Sequence, residues 1–98
     1  MKLIFSDRAV DDLEQIGHYI SRDAPDAARR HVQKLIDRVR QVVRFPNSGR
    51  VVPEFQESDL REVIEGNYRI VYEVNYKKKT IAVITIFESH HLLSKKSK

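Results

Sequence analysis

The strongest regularity in the chain is an alternation of apolar and polar residues in its C-terminal half. Across Tyr68–Tyr76, every even-numbered residue is aromatic or aliphatic, and the residues between them include Arg69 and Glu73. A repeat of two residues is typical of a β-strand that buries one face and exposes the other. The pattern therefore predicts a strand with Tyr72 in the core and Arg69 on a polar surface.

Two turns divide this half of the chain into three extended pieces. Gly66-Asn67 can supply the positive φ of a tight hairpin, and Lys77–Lys79 is a polar connection. The last piece, Ile81–Phe87, is almost uniformly apolar and β-branched, as a strand covered on both faces would be. These features predict an antiparallel three-stranded meander whose polar face is the candidate working surface.

The N-terminal half has the periodicity of helices instead. After a short apolar strand at Lys2–Phe5, Ser6 or Asp7 offers a side-chain oxygen as an N-cap. Apolar residues then recur at helical spacing, at Val10, Leu13, Ile16 and Ile20. This pattern predicts a first helix from about Asp7 to Arg22.

A second helix is predicted to begin at Pro25, because proline suits the first position of a helix. Its apolar face contains Ala28, Val32, Leu35, Ile36, Val39 and Val43, and its outer face carries Arg29, Arg30, Lys34, Arg38, Arg40 and Arg44. Phe45-Pro46 ends it, since the residue before a proline avoids helical backbone. After the helix, we expect extended chain at Val51–Glu54 and a polar loop at Phe55–Asp59.

The predicted order of elements is therefore β-α-α-β-β-β. Neither helix can bury its apolar stripe alone, so we expect an antiparallel helix hairpin that packs on the sheet. The fold class is α+β, with a small antiparallel sheet. A single domain is expected over residues 1–93, and the basic tail at residues 94–98 is expected to be disordered.

The composition narrows the class of protein. With 41% hydrophobic and 33% charged residues, the 98-residue chain has the balance of a soluble globular protein. It has no cysteine, which excludes disulfides, thiolate zinc sites and cysteine nucleophiles. The sequence shows neither a signal peptide nor a membrane-length apolar span, so a cytoplasmic location is expected. The net charge of +4 favours an acidic or polyanionic partner.

The candidate chemistry rests on ionisable residues that we expect at one end of the meander. They are Arg50, Glu54, Arg61, Arg69, His90 and His91. The chain has no phosphate-cradling glycine loop, no HExxH pair and no nucleophile elbow, and we expect neither a metal nor a cofactor.

Such a group could cleave RNA without a metal. This reaction needs a base for the ribose 2′-hydroxyl, cations on the phosphate and an acid for the leaving 5′-oxygen. Glu54 would be the base and Arg61 and Arg69 the cations. The acid would be His90 or His91, because the ordinary pKa of histidine lies near neutrality.

A structural explanation competes with the catalytic one. An arginine on a strand beside Glu62, Glu65 or Glu73 is more often part of a solvated cross-strand ion pair. Tyr68 or Tyr72 could stack on a nucleobase, but the alternation favours burying both. The adjacent histidines would point to opposite sides of an extended chain, so at most one reaches a given site. The cationic face of the second helix is a solubility surface more often than a polyanion-binding surface.

Four motifs then follow one another in order along the chain. They are Ala27-Ala28 after Pro25, Phe45-Pro46-x-x-Gly49-Arg50-x-x-Pro53-Glu54, Leu60-Arg61-Glu62, and Tyr68-Arg69-Ile70-Val71-Tyr72-x-Val74. With this pattern, the chain up to about His91 resembles the RelE/ParE superfamily of toxins from bacterial type II toxin–antitoxin systems. The resemblance implies a small curved sheet with a helix pair packed on it. It also implies a cognate antitoxin that lays an extended or helical segment across the toxin in a hetero-oligomer.

The resemblance also implies one of two targets. ParE-like members poison DNA gyrase, whereas RelE-like members cut mRNA in the A site of the ribosome. In nuclease relatives that use Glu, Arg and His, the matching positions are Glu54, Arg69 and His90, and the tyrosine that follows in them is His91 here. The long helix hairpin and the acidic segment Glu54–Glu65 are similar to the ParE side, and the lysine set of RelE is missing.

We therefore predict a ParE-like toxin that inhibits gyrase. The residues expected to bind its partners are Arg50, Arg61, Arg69 and Tyr72. A ribosome-dependent mRNA nuclease is the first alternative. The second is a catalytically degenerate protein that only binds its antitoxin.

Overall fold

The computed structural model describes residues 1–55 and 59–89 as two helices packed on a five-stranded sheet. The strands are β1 (Lys2–Phe5), β2 (Arg50–Val51), β3 (Leu60–Glu65), β4 (Tyr68–Asn75) and β5 (Thr80–Glu88), and the helices are α1 (Asp7–Ser21) and α2 (Pro25–Arg44). The predicted α+β class is confirmed. In this part of the chain, neither helix has the length and apolar character needed to cross a bilayer.

The sheet has the order β1-β5-β4-β3-β2, and the three pairings among β2, β3, β4 and β5 are antiparallel. The predicted meander is therefore confirmed. The expectation of a wholly antiparallel sheet is wrong, because β1 pairs in parallel with β5, from Lys2 opposite Thr80 to Phe5 opposite Val83. No hairpin turn joins these two strands, so no turn chemistry fixes their relative direction. The long chain between them supplies the crossover that a parallel pair needs.

Local sequence signals set the ends of the helices and hairpins. Ser6 is the N-cap of α1, and its Oγ accepts a hydrogen bond from the backbone N–H of Ala9 at 3.0 Å. Pro25 begins α2, as predicted. The β3–β4 hairpin turns at Gly66, whose φ of 59° a glycine adopts without strain.

The core lies between the helices and one face of the sheet. Buried residues from both layers form it: Ala9, Leu35, Val39, Val42, Val63, Ile70, Tyr72, Ile81, Val83 and Ile86. Tyr72 is the largest fully buried side chain of the described residues, so its predicted place in the core is confirmed. Near the end of α2 the fully buried residue is Val42, whereas Val43 of the predicted stripe is only partly buried.

The opposite face of the sheet is less exposed than the alternation predicts. The core residue Val63 of β3 lies opposite Ile70 of β4. Arg69 and Val71 are the neighbours of Ile70 in the strand, so they point to the other face, away from the helices. Arg69, Val71 and Glu62 are nevertheless buried. The expectation that Arg69 lies on a solvated polar surface is therefore wrong.

The chain between α2 and β3 explains this burial. Extended chain was expected over Val51–Glu54, but β2 ends at Val51 and a 3₁₀ turn follows at Pro53–Phe55. This turn brings the carboxylate of Glu54 against the guanidinium of Arg69. Residues 56–58 of the predicted polar loop, and the predicted tail at 94–98, lie outside the described residues.

Candidate functional site

A row of four side chains crosses the face of the sheet that is opposite the helices. Arg50 on β2 is the direct partner of Glu62 on β3, and Arg69 on β4 is the direct partner of Phe87 on β5. Glu62 and Arg69 are diagonal neighbours, since Glu62 pairs with Val71 two residues further along β4. Because side chains alternate along each strand, these pairings put all four on one face.

Glu54 joins this row from the 3₁₀ turn, and we call Arg50, Glu54, Glu62 and Arg69 the ion-pair cluster. Arg69 is its centre. The Nη1 of Arg69 donates to Oε2 of Glu54 at 2.7 Å and its Nη2 donates to Oε1 at 2.8 Å, which makes a bidentate pair. The Nε of Arg69 donates to Oε1 of Glu62 at 2.7 Å.

The surroundings of Arg69 keep it charged. Hydrogen bonds from the guanidinium to Glu54, and then to Glu62, raise the pKa of Arg69 above its ordinary value, although burial alone would lower it. The guanidinium carbon also lies 4.9 Å from the centre of the Phe87 ring, in a cation–π arrangement. Arg69 is therefore a fixed positive charge inside the protein.

Glu62 is shared between two arginines. Its Oε2 accepts a hydrogen bond from Nε of Arg50 at 2.6 Å, while its Oε1 accepts from Arg69. The side chain of Glu62 has no exposed surface, and that of Arg50 is 63% exposed. A carboxylate can be buried in this way only when it is paired. With two glutamates and two arginines, the ion-pair cluster is formally neutral.

This geometry limits what the ion-pair cluster can do chemically. The Arg69 side chain is 4% exposed and that of Glu54 is 12% exposed. A phosphate clamp must present its N–H groups to a ligand, and a general base must have a lone pair ready for a proton. The structure does bring Glu54 and Arg69 together, as predicted, but each faces the other. The ion-pair cluster therefore stabilises the fold by joining β4 to β3 and to the 3₁₀ turn.

Arg61 does not join the ion-pair cluster. It is the direct cross-strand partner of Tyr72, so it lies on the helix-facing side of the sheet. Its Nη1 donates to the backbone carbonyl of Gly49 at 2.8 Å. Arg69 lies three positions from Tyr72 along β4, and an odd separation puts it on the other face. The expectation that Arg61 and Arg69 share one face is therefore wrong.

Tyr72 is fully buried, although it was also a candidate binding residue. Its hydroxyl donates to the carbonyl of Pro46 at 2.9 Å and accepts from the backbone N–H of Gly49 at 2.9 Å. Burial raises the pKa of Tyr72, against the opposing effects of the Gly49 N–H and the charges of Arg61 and Arg38. A ring with no accessible face cannot stack on a nucleobase. Tyr72 instead holds the chain after α2 against the sheet.

Tyr68, the other stacking candidate, is the first residue of β4. It is partly exposed in a cavity of about 240 Å³ between α1 and the end of β5, which Tyr19 and Glu88 also line. Burial, followed by the charges of Glu88 and Tyr19, raises the pKa of Tyr68. Tyr68 precedes Arg69 in β4, so its side chain points to the opposite face of the sheet and does not join the ion-pair cluster.

The predicted general acid has no described position, because His90 and His91 lie outside the described residues. Within the described ranges, no group of three or more His, Cys, Asp and Glu side chains could hold a metal ion. The sequence predicts Glu62 as a solvated ion-pair partner, whereas the structure buries it. One feature of the sequence does indicate that Glu62 is buried. Leu60 and Ile64, two residues away on each side, share its face of the strand and are apolar, so a charge between them is a candidate for burial.

The fold and the ion-pair cluster together define a class of small α+β protein, in which a helix hairpin covers one face of the sheet and a neutral charge cluster closes the other. Residues 3–92 match the family described as the ParE toxin of the type II toxin–antitoxin system, parDE. The chain therefore belongs to the ParE toxin family. The predicted kinship with the RelE/ParE superfamily is confirmed.

Individual relatives agree with this membership. The chain is 31% identical over 84 residues to the candidate toxin Y4kP of Sinorhizobium fredii (strain NBRC 101917 / NGR234). The aligned region covers 85% of this chain and 82% of that protein. It is similar to the chromosomal ParDE toxin–antitoxin system from P. aeruginosa, with a TM-score of 0.70, 23% identity, and coverage of 90% of this chain and 95% of the other. It is also similar to the intact E. coli RelBE toxin–antitoxin complex, with a TM-score of 0.66, 18% identity, and coverage of 92% and 98%. At these identities, the two structures show the shared fold.

Proposed function

We propose that this toxin acts in the cytoplasm by binding and inhibiting DNA gyrase, and that a cognate antitoxin neutralises it by direct binding. The family match to ParE toxins supports this choice over an mRNA nuclease. The structural similarity to both the ParDE and RelBE systems is compatible with either target.

The observation that carries the proposal is the bidentate pair between Arg69 and Glu54. These are two of the three residues that a Glu-Arg-His nuclease would use. To act on RNA, Arg69 would have to release the Glu54 carboxylate and also its bonds to Glu62, inside a site that is almost closed to water. Breaking a buried ion pair in this way costs several kcal/mol. The cluster is therefore better suited to holding the fold of a binding protein.

Arg50 and Arg61 are better candidates than the buried Arg69 for contact with a partner, because their side chains are more accessible. Arg50 is 63% exposed at the edge strand, and Arg61 is half-buried on the opposite face. Of the four residues first expected to bind a partner, these two keep a direct role in the proposal. Arg69 and Tyr72 support them from within the fold.

A supercoiling assay with purified gyrase tests the proposal directly. The toxin should inhibit supercoiling or trap cleaved DNA, and prior addition of the cognate antitoxin should remove the effect. Relaxation of the same plasmid by a type I topoisomerase is the control and should be unchanged. Supercoiling at the normal rate in the presence of excess folded toxin would contradict the proposal.

A translation assay separates the two alternatives. Mapping mRNA ends after expression of the toxin should show no cuts in the ribosomal A site. Cuts that disappear in a Glu54→Gln variant of unchanged stability would support the RelE-like nuclease instead. Normal growth of cells that express folded toxin without antitoxin would favour a degenerate protein that only binds its antitoxin.

A further inference from the structure

The two arginines of the ion-pair cluster bind Glu62 in the same way. The Nε and Nη2 of Arg69 both donate to Oε1 of Glu62, at 2.7 and 2.5 Å. The Nε and Nη2 of Arg50 both contact Oε2 of the same carboxylate, at 2.6 and 2.5 Å. Each guanidinium therefore uses its Nε–Nη2 edge on Glu62, and its Nη1–Nη2 edge remains for a second carboxylate.

This second edge is filled in Arg69 and open in Arg50. In Arg69, Nη1 and Nη2 donate to the two oxygens of Glu54, at 2.7 and 2.8 Å. Arg50 makes no ion pair with a second carboxylate within the described part of the chain, and its side chain is mostly exposed. Because Arg50 lies on β2, at one end of the strand order, its open edge is accessible to a partner.

The ion-pair cluster also holds Arg50 in place. The carboxylate to which it bonds has no exposed surface and is fixed on its other oxygen by Arg69. A planar guanidinium that is bonded along one edge loses less conformational freedom when its other edge binds a ligand. The cluster therefore prepares Arg50 for a ligand with two acceptor oxygens in one plane, and a carboxylate has this geometry.

We propose that the open Nη1–Nη2 edge of Arg50 binds an aspartate or glutamate side chain of gyrase. The arrangement would be the bidentate one that Glu54 makes with Arg69. This inference deepens the proposed function and rests on it, because gyrase is the partner that the toxin is proposed to inhibit.

The surroundings of Arg50 fit a protein carboxylate better than a phosphate backbone. The cluster is formally neutral, so it lacks the excess of positive charge that attracts nucleic acid. Glu73 is exposed on the same face, opposite Leu60, and would repel a polyanion that spread over the sheet. A single carboxylate at β2 need not approach Glu73, because β3 lies between β2 and β4.

An exposed apolar side chain on the same face supports a protein partner. Ile64 lies two residues from Glu62 along β3, so the two side chains point the same way, and Ile64 is largely exposed. An arginine beside an accessible apolar side chain is typical of the residues that carry binding energy in protein interfaces.

The test is the affinity of the full-length toxin for purified gyrase without DNA, measured by isothermal titration calorimetry. Arg50→Ala removes both donors of the open edge and should raise the Kd at least about tenfold. Arg50→Lys keeps the charge but loses the planar fork, so it should raise the Kd nearly as much.

Arg40→Ala is the matched control. The Arg40 side chain is 69% exposed, close to the 63% of Arg50, and it also pairs with one carboxylate, that of Asp37. The control therefore removes the same charge from α2, on the other side of the sheet, and should leave the Kd unchanged. Equal losses of affinity in Arg40→Ala and Arg50→Ala would mean that net charge governs binding, and would overturn the proposal.

Two other results of the titration would also overturn it. One is an unchanged Kd in Arg50→Ala. The other is wild-type affinity in Arg50→Lys, because a point charge would then be sufficient. The melting temperature of each variant is measured first, and if Arg50→Ala is unfolded at the temperature of the titration, Arg50→Lys decides the outcome.

Two further arms identify the source of the anion. If Arg50→Ala binds gyrase normally without DNA and more weakly only when DNA is present, the ligand is a phosphate and the proposal is wrong. If Arg50→Ala keeps its affinity for gyrase and loses affinity for the cognate antitoxin, the carboxylate belongs to the antitoxin and the choice of gyrase is wrong.

The supercoiling assay separates this inference from the proposed function. Inhibition by the wild type that Arg50→Ala matches at every concentration would overturn the inference alone. A wild-type toxin that neither binds nor inhibits gyrase would overturn the proposed function itself.

Discussion

Arg69 and Glu54 are fifteen positions apart in the chain, yet they form a bidentate ion pair with N–O distances of 2.7 and 2.8 Å. The pair joins the central strand of the sheet to the turn that follows β2. It is almost closed to solvent, and Glu62 is bonded to the same guanidinium from the neighbouring strand. An arginine suited by its chemistry to bind phosphate is thus used to hold two parts of the fold together.

Removal of Arg69 should therefore destabilise the fold strongly. Arg69→Ala would leave the Glu62 carboxylate buried with one partner fewer, and breaking a buried pair in this way costs about 3–5 kcal/mol. Arg50→Ala is the matched control and should cost much less, since water can replace a guanidinium that is 63% exposed. Urea unfolding of both variants measures the difference.

An apolar replacement of the same residues tests whether charge or shape matters. The variant Arg69→Met/Glu54→Leu/Glu62→Leu removes every buried charge at once and should recover most of the stability lost in Arg69→Ala. Equal stability of Arg69→Ala and Arg50→Ala would show that the ion-pair cluster does not hold the fold.

Stability should fall in alkaline solution because of two tyrosines. The pKa of Tyr72 and that of Tyr68 are raised in the folded protein, in both cases mainly by burial. Above about pH 10, the unfolded chain releases these protons first, so it binds fewer protons than the folded chain and the free energy of unfolding decreases. Below that pH the contribution is fully present. The loss is at most about 1.4 kcal/mol per pH unit for each tyrosine.

Urea unfolding between neutral pH and pH 11, read together with tyrosinate absorbance, checks this dependence. Tyr72→Phe should flatten the alkaline decrease. It should also lower stability at neutral pH by about 1–3 kcal/mol, because the buried N–H of Gly49 loses its acceptor. An alkaline decrease of the same slope in Tyr72→Phe and the wild type would contradict the assignment to Tyr72.

Gly49 and Gly66 should respond differently to substitution. A Cβ at Gly49 would lie 2.7 Å from the backbone carbonyl oxygen of Glu62 and against the Tyr72 hydroxyl, so Gly49→Ala must displace the backbone. A Cβ at Gly66 would meet no atom within 4 Å, and its cost comes only from the positive φ of 59°. Asparagine tolerates that backbone conformation better than most residues. We expect Gly66→Asn to be mild and Gly49→Asn to be severe. Melting temperatures that rank the two variants in the opposite order would contradict this account.

Asp12 should be important for the position of α1 on the sheet. Its Oδ2 accepts hydrogen bonds from Oγ1 of Thr85 at 2.6 Å and from the backbone N–H of Ile86 at 3.0 Å, next to an irregularity in the β4–β5 pairing. Asp12→Ala leaves both donors without this acceptor and should cost about 1–3 kcal/mol. The neighbouring variant Asp11→Ala is the control. Asp11 accepts only an exposed bond from Gln15 among the described residues, so its loss should be small.

Much of the fold could be predicted because its signals are local. The N-cap at Ser6, the proline that begins α2 and the glycine that turns the β3–β4 hairpin each act within a few residues. The direction of β1 could not be predicted in this way. Its partner β5 is almost the whole chain away, and nothing in four residues specifies which way they pair.

Three members of the ion-pair cluster were predicted, but Glu62 and the geometry of the cluster were not. Arg50, Glu54 and Arg69 do come together, but Arg61 lies on the other face, because the β3–β4 register puts it opposite Tyr72. Register is a long-range property, and a shift by one residue moves every side chain of a strand to the other face. Burial of Arg69 depends in addition on a turn that comes from another part of the chain.

The sequence by itself determined the two helices, β1, the meander of β3 to β5 and the family resemblance, because periodicity, capping residues and turn residues operate over short distances. It did not predict the short strand β2. Only the tertiary structure decided which charges meet. It set Arg69 between two carboxylates, because the pairing of strands and the path of one loop govern where a guanidinium finds its partner.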